Sequence, residues 1–285
     1  MAHQGLALAD IIPATDLNLE NVTVPETVEG NKSATLNGTG FITYTISPIA
    51  QMFLGEECQP GKHVIEIGAG YTNIPIEALK QGVSYYTAND IALEHLKILT
   101  YRVKKDLGED ALKNLSLAPG KVPEDLKDVP NQFDGILAEK VIHFMTPVEI
   151  HNFMNWVKNS LKPGGKIYIT AASPYSDAYR KILPAYQENL KEGLEFPGYL
   201  THFPERFADN FIQKILIKIM KHHPRYKVPD YVTLFSRNDF VKLFEKYDLK
   251  IISSYSLISP TSLQKDWAPA PDQESEISGI IAVKK

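Results

Sequence analysis

The sequence predicts an α/β protein in which helices cover both faces of a doubly wound, mostly parallel sheet. Apolar strand-like runs alternate with amphipathic helical stretches from residue 63 to residue 171. Proline caps and glycine stops punctuate the hand-overs. The last two strand candidates, 250–258 and 277–283, have no helix between them and are expected to pair antiparallel at the sheet edge.

Each element has a local reason. Ser47-Pro48 supplies an N-cap and a proline at the first helical position, opening a short helix through Phe53 and Leu54. Val64, Ile65 and Ile67 form a buried strand, followed by a glycine turn and a short helix ending at Gly82. Residues 83–88 form a second strand that ends at Asn89-Asp90. Residues 91–107 repeat Leu93, Leu96, Leu99, Val103 and Leu107 at helical spacing, with Gly108 as a C-terminal stop. Residues 133–138 are a further apolar run. Thr146-Pro147-Val148-Glu149 is a capping box that launches a helix burying Ile150, Phe153, Met154, Val157 and Leu161. Lys162-Pro163-Gly164-Gly165 then stops that helix and turns the chain into a strand over 166–171.

Two regions fall outside this rhythm. Residues 1–46 are turn-rich, with Gly30, Gly38 and Gly40 close together, and read as an N-terminal cap or arm. Residues 173–232 are rich in proline and aromatic residues, with one amphipathic helix over 208–222. A second capping box, Ser236 to Asp239, restores order and leads a helix striped with Phe240, Leu243, Phe244 and Tyr247. The expected organisation is a cap over 1–46, a core over 47–172 and 233–285, and an inserted lid or substrate-recognition segment over 173–232.

Composition narrows the function classes. A 44% hydrophobic and 22% charged composition is that of a globular domain, and 285 residues suffice for a large core. A net charge of −4 leaves no global footprint for nucleic acid or an anionic membrane. One cysteine, Cys58, excludes an intramolecular disulfide and a cysteine-based zinc cluster. Asn21, Asn31, Asn37 and Asn114 lie in Asn-x-Ser/Thr triplets, but the N-terminus has no basic leader or long apolar run, so the expected compartment is cytoplasmic.

The stretch 63–79, HVIEIGAGYTNIPIEAL, carries the chemistry. A strand ending in Gly68-x-Gly70 lets backbone amides approach a ligand at the carboxyl edge of a sheet. The dinucleotide fingerprint asks for a third small residue where Asn73 stands, and Glu66 would set a negative charge against a phosphate. The Glu66 carboxylate suits an ammonium group instead. Asp90 follows Gly70 by twenty positions, where an acid accepts from ribose hydroxyls, and it is also placed to cap the next helix. Adenosine with a cationic amino-acid tail describes S-adenosylmethionine, with nicotinamide-dependent oxidoreduction the less favoured reading.

VIEIGAGYT (64–72), AND (88–90), FDGILAEKVIHF (133–144) and LKPGGKIYI (161–169) resemble, in order and spacing, the motifs of class I S-adenosylmethionine-dependent methyltransferases. The resemblance covers 47–172 and 233–285 and implies a Rossmann-like, seven-stranded sheet whose last strand is antiparallel. It implies that Gly68, Ala69 and Gly70 approach the methionine portion and that Asp90 meets the ribose. It also implies that Ile91 packs on the adenine and that Glu139 starts the loop beneath the sulfonium. Ala118-Pro119-Gly120-Lys121-Val122 lacks the acid or amide that often meets the adenine amino group, leaving backbone contact from Lys121 or Val122. Thr72 replaces a frequent third glycine, and Asn73 is placed to cap the short helix.

Catalytic assignments are open. His143, just after the fourth core strand, is a candidate base or a packed residue. Tyr175, Tyr199 and His202 lie in the insertion, within reach of a substrate, and Tyr44 is placed to close over the cofactor from the N-terminal side. His222-His223 diverge on a helix without a third ligand, so no metal site is expected. The 208–222 helix sets Lys214, Lys218 and Lys221 against Phe211, Ile215, Leu216 and Ile219, a pattern that fits a lid better than a membrane surface. No Asn-Pro-Pro-aromatic tetrad follows the fourth strand, where Glu139-Lys140-Val141-Ile142 stands, which by family likeness argues against base methylation of nucleic acid. The expected acceptor is a small molecule. A methyltransferase-like protein that binds cofactor or a partner without turnover is the alternative, and oligomeric state is not legible.

Overall fold

The computed structural model describes residues 11–27, 31–36, 41–126, 129–210, 213, 215, 217, 229–258, 268–269 and 275–285. The arm contributes β1 (Ile12–Pro13) and a small hairpin of β2 (Lys32–Ala34) and β3 (Phe41–Thr43). The core then runs α1 (Pro48–Glu57), β4 (His63–Ile67), α2 (Ile74–Lys80), β5 (Tyr85–Asp90), α3 (Leu93–Leu107), β6 (Leu115–Pro119), β7 (Phe133–Glu139), α4 (Pro147–Ser160) and β8 (Leu161–Ala172). The insertion holds α5 (Leu183–Lys191) and the paired strands β9 (Tyr199–Thr201) and β10 (Tyr231–Thr233). The chain closes with α6 (Arg237–Glu245), β11 (Leu249–Ile258), β12 (Ala268–Pro269) and β13 (Ile277–Lys284).

The main sheet has the order β1-β6-β5-β4-β7-β8-β13-β11-β12. Its centre is parallel, with β6, β5, β4, β7 and β8 in register side by side. The final strand β13 runs antiparallel between β8 and β11, so the seven expected strands are present. The two-residue strands β1 and β12 add an antiparallel edge at either side. β6 has too few apolar residues in a row to stand out in the sequence, and its Leu115 and Leu117 are nonetheless buried. The Pro163-Gly164-Gly165 turn is drawn into β8, with a register shift against β7 absorbing it.

Alternation along the strands explains the two helical layers. Val64, Tyr86, Leu117, Leu137 and Tyr168 face one way and pack with Phe53, Leu96, Leu99 and Val103 of α1 and α3. Ile65, Ile67, Ile136, Ile167 and Ile169 face the other way, against Phe153 and Val157 of α4 and Phe240 and Phe244 of α6. The insertion buries a separate small cluster of Ile182, Leu200, Val232 and Leu234.

The capping signals act as their residues dictate. The Ser47 hydroxyl accepts from the Ala50 amide at 3.1 Å, and both capping boxes close reciprocally. Asn73 does not cap α2, because its side chain is engaged elsewhere. Gly30, Gly38, Gly40, His222, His223 and most of the helix expected over 208–222 lie outside the described residues. Of that helix, residues 208–210 are non-helical, whereas Gln213, Ile215 and Ile217 are helical. No helix among the described residues is long and apolar enough to cross a membrane.

Glu66 is the main correction to the sequence reading. It sits in the middle of the sheet, 2% exposed, and accepts a hydrogen bond from the Tyr86 hydroxyl at 2.6 Å. Burial pushes its pKa up to about 8, with the charges of Glu139 and Asp90 adding to the effect, so at pH 7 it is a neutral acid rather than an anion awaiting a cation.

Two measurements check these points. Thr146→Ala removes one half of the α4 capping box and is expected to cost about 1 kcal/mol in denaturant unfolding. In the folded protein Glu66 holds its proton up to about pH 8, whereas an ordinary glutamate ionises near 4.5. The unfolded chain therefore binds fewer protons between those values, and stability falls as pH rises through that window. Glu66→Gln should match the wild type near pH 4.5 and become the more stable protein by pH 8, the gap growing to a few kcal/mol (about). A gap that stays constant with pH would mean that Glu66 is not buried as an acid.

Candidate functional site

A cavity of about 500 Å3 opens at the carboxyl ends of β4, β5 and β7, the edge at which open α/β sheets bind ligands. Gly68, Asp90, Ile91, Val122 and Glu139 all line it. The glycines are there for steric reasons. Gly68 and Gly70 have φ of +68° and +54°, and a Cβ on either would lie 2.4 Å from a side-chain carbon, of Val141 and Ile42 respectively.

Asp90 fixes the floor. It is 6% exposed, and its Oδ2 accepts from the Gly70 amide at 2.9 Å. Its Oδ1 accepts from the Ala92 amide at 2.8 Å and lies 3.0 Å from His95 Nδ1. The Leu36 amide donates to His95 Nε2 at 3.1 Å, so the neutral ring carries its proton on Nδ1 and donates to Asp90. A carboxylate offers about four acceptor positions, so roughly one is left for a ligand hydroxyl.

The arm forms one wall. Tyr44 is buried, its hydroxyl 2.8 Å from Ser33 Oγ and its ring 4.8 Å from the Arg102 guanidinium carbon. Arg102, on α3, donates to the carbonyls of Tyr71 and Thr72 and to Asn73 Oδ1, the last at 2.6 Å. Asn73 Nδ2 in turn donates to the Tyr44 carbonyl at 2.7 Å. Arm, glycine turn and α3 are thereby held as one unit over the cavity.

The opposite wall starts where β7 ends. Glu139 accepts from the Ser47 hydroxyl, and burial raises its pKa. Lys140 lines the cavity with a φ of +55°, held by its amide donating to Thr170 O at 3.0 Å. Of the six non-glycine residues with positive φ among the described residues, four are Asn or Asp, types that tolerate the conformation at low cost. A lysine there carries of order 1–2 kcal/mol of strain. Burial lowers the Lys140 pKa. His143 is 8% exposed, lines the cavity and packs on Phe144 with ring centroids 4.1 Å apart. Its Nδ1, itself buried, has no hydrogen-bond partner among the described residues, and burial, helped by the Lys140 charge, pushes its pKa down to about 3.

Of the residues singled out in the sequence, Tyr44, Gly68, Asp90, Ile91, Lys121, Val122, Glu139 and His143 meet at this cavity. Glu66, Ala69 and Gly70 lie beneath its floor, outside the lining. The Lys121 backbone is already engaged, its amide donating to Asp125 Oδ2 at 2.8 Å and its carbonyl accepting from the Asp125 amide at 2.7 Å. Its ammonium pairs with Glu149. Tyr175 stacks edge-on against Tyr186 away from the cavity, and His202 is exposed, 3.9 Å from Asp230. Tyr199 reaches the cavity only through its neighbour Tyr231, ring centroids 5.8 Å apart. Ile42, His95, Arg102, Lys140, Phe144 and Tyr231 were not anticipated in these roles. For Arg102, the signal was its place on α3 facing the glycine turn. For Lys140 it was the break between β7 and the next helix.

A family model described as a methyltransferase domain matches residues 44–254, well over half of the chain. A solved structure of S-adenosylmethionine-dependent methyltransferases from Methanosarcina mazei is 16% identical, with a TM-score of 0.54 over 83% of this chain and 97% of that one. Geranyl diphosphate C-methyltransferase from Streptomyces coelicolor A3(2) follows at 9% identity and 0.49, over 83% and 79%. A methyltransferase structure from Listeria monocytogenes gives 15% and 0.49, over 83% and 98%. No curated protein matches the chain. Its strand order with the antiparallel final strand, its glycine turn and the span of the matched family model show that the chain belongs to the class I S-adenosylmethionine-dependent methyltransferases.

Proposed function

We propose that this protein transfers a methyl group from S-adenosylmethionine to a small-molecule acceptor bound in the cavity between the arm and the end of β7. The observation that carries the reading is the convergence of Gly68, Asp90, Ile91 and Glu139 on one cavity at the carboxyl edge of the sheet. When bound, the cofactor supplies a sulfonium methyl that a nucleophile takes in line, leaving S-adenosylhomocysteine. The chain's part is alignment and the exclusion of water.

Asp90 offers its remaining acceptor position to a ribose hydroxyl. Ile91, 65% exposed and lining the cavity, gives an apolar face for the adenine ring. Glu139, at the end of β7, lines the cavity beside the place where the cationic end of the cofactor would sit. Phe41 and Tyr44 of the arm, with Pro229 and Tyr231 of the insertion, close the acceptor side. In this reading, 1–46 and 173–232 select the acceptor and the rest of the chain holds the cofactor.

Isothermal titration with S-adenosylhomocysteine tests the cofactor half. Binding is expected, with NADH binding more weakly, and Asp90→Asn should weaken it at least about tenfold, as loss of a charge-assisted hydrogen bond does. Equal or tighter binding of NADH would overturn the assignment. Formation of S-adenosylhomocysteine on a panel of small acceptors then separates an enzyme from a binding protein, since a non-catalytic relative binds the nucleotide and forms none.

A further inference from the structure

The charged groups that line the cavity are engaged within the protein. Asp90 accepts three hydrogen bonds, and His95 is bonded through both nitrogens. Glu139 accepts from the Ser47 hydroxyl, Lys121 pairs with Glu149, and Lys140 has a partner of its own. The His143 ring is neutral at pH 7, and its Nδ1 is buried away from solvent. A charged acceptor entering here meets no uncommitted counter-ion among the described residues. Taking a charge out of water without one is costly.

What the acceptor end leaves open is aromatic. Phe41, on β3 of the arm, is 65% exposed, and Phe144, past the end of β7, is 40% exposed; both line the cavity. Tyr231, on β10 of the insertion, lines it from a third segment. Single exposed apolar side chains are ordinary on a protein surface, but rings from three segments meeting at one cavity are the pattern of a ligand site. Two of the rings are held in place. Phe144 packs on the His143 ring with centroids 4.1 Å apart. Tyr231 lies 5.8 Å from Tyr199, and its hydroxyl donates to the Phe144 carbonyl at 3.1 Å, so its one proton is already used. Val141 and Met145 add to the apolar wall. Aromatic pairs gain from offset or edge-on contact beyond the area they cover, so a flat ring suits this surface better than a saturated one of the same size.

Resting on the function proposed above, we propose that Phe41, Phe144 and Tyr231 form an aromatic subsite, and that the acceptor is an uncharged molecule with a flat aromatic ring seated among them. The arm, the end of β7 and the insertion each contribute one ring to its recognition. Selection against charge comes from the engaged lining groups, and selection for flatness comes from the rings. Phe41 is the arm's specificity-determining residue.

The test uses the full chain saturated with sinefungin, an unreactive cofactor analogue with an amine where S-adenosylmethionine carries its methylated sulfur. The adenine side is then occupied and a cationic centre is present. Naphthol is titrated in at pH 7, beside decahydronaphthol, naphthoate and naphthylmethylamine substituted at the same ring position. Naphthol should bind at least about tenfold more tightly than the two charged molecules and about threefold or more over decahydronaphthol. Phe41→Ala and Phe144→Ala should each weaken naphthol at least about fivefold and leave sinefungin affinity unchanged. Phe41 is largely exposed, so its alanine variant should melt as the wild type does. Phe41→Leu, which keeps an apolar side chain without the ring, should weaken naphthol and spare decahydronaphthol. Equal or tighter binding of a charged molecule or of decahydronaphthol would overturn the proposal. So would naphthol binding that is absent in the wild type or unchanged in both alanine variants. A wild-type protein that binds neither sinefungin nor S-adenosylhomocysteine would instead overturn the cofactor reading on which this one rests.

Discussion

The Asp90 carboxylate is the constraint on which the site depends. It receives N–H groups from three places: Gly70 in the turn after β4, Ala92 at the start of α3, and His95 one turn into that helix. Through His95 it also reaches the arm, since the Leu36 amide donates to the far side of the ring. Hydrogen bonds to an ionised acceptor contribute about 1.5–3 kcal/mol each, so this one side chain orders the turn, the helix start and the arm together. The same engagement restricts the ligand. With three acceptor positions filled, Asp90 can orient a hydroxyl but cannot grip a diol through both oxygens without releasing part of the scaffold.

Charge is distributed around that anion so that the floor does not repel itself. Glu66 lies one strand away in the sheet centre, and a second full charge there would face both Asp90 and Glu139 in a poorly solvated space. Keeping Glu66 protonated against the Tyr86 hydroxyl removes that repulsion. Arg102 acts on the turn itself. Its hydrogen bonds go to the Tyr71 and Thr72 carbonyls and to Asn73, where they stiffen the turn. The turn therefore needs little from a ligand to hold its shape, which is the condition for preorganised binding.

What could be read from the sequence follows from how local each cause is. The glycine turn, the two capping boxes and the stop at Gly108 depend on neighbours within four residues, and all of them stand where the residue types put them. The antiparallel end of the sheet was legible because a missing helix between two strands is also a local fact. Glu66 was misread because sequence gives the type of a group and not its solvation. Two pairings, the Lys121 amide with Asp125 and Asn73 with Tyr44 and Arg102, diverted groups assigned to a ligand or to a helix cap. The contact of Ile42 with Gly70 spans twenty-eight residues and has no sequence signature at all.

The two halves of the cavity differ in the same way, and that difference has a chemical consequence. The cofactor half comes largely from one continuous stretch, from β4 to the start of α3, where spacing carries meaning. The half proposed to take the acceptor is assembled from the arm, the end of β7 and the insertion, three pieces that meet only in the fold. Its one local clue is a lysine in a backbone conformation that lysine does not prefer. Asp90, His95 and Glu139 are all engaged in hydrogen bonds of the scaffold, and burial pushes the His143 pKa down to about 3, so this wall is poorly equipped to activate a protonated nucleophile.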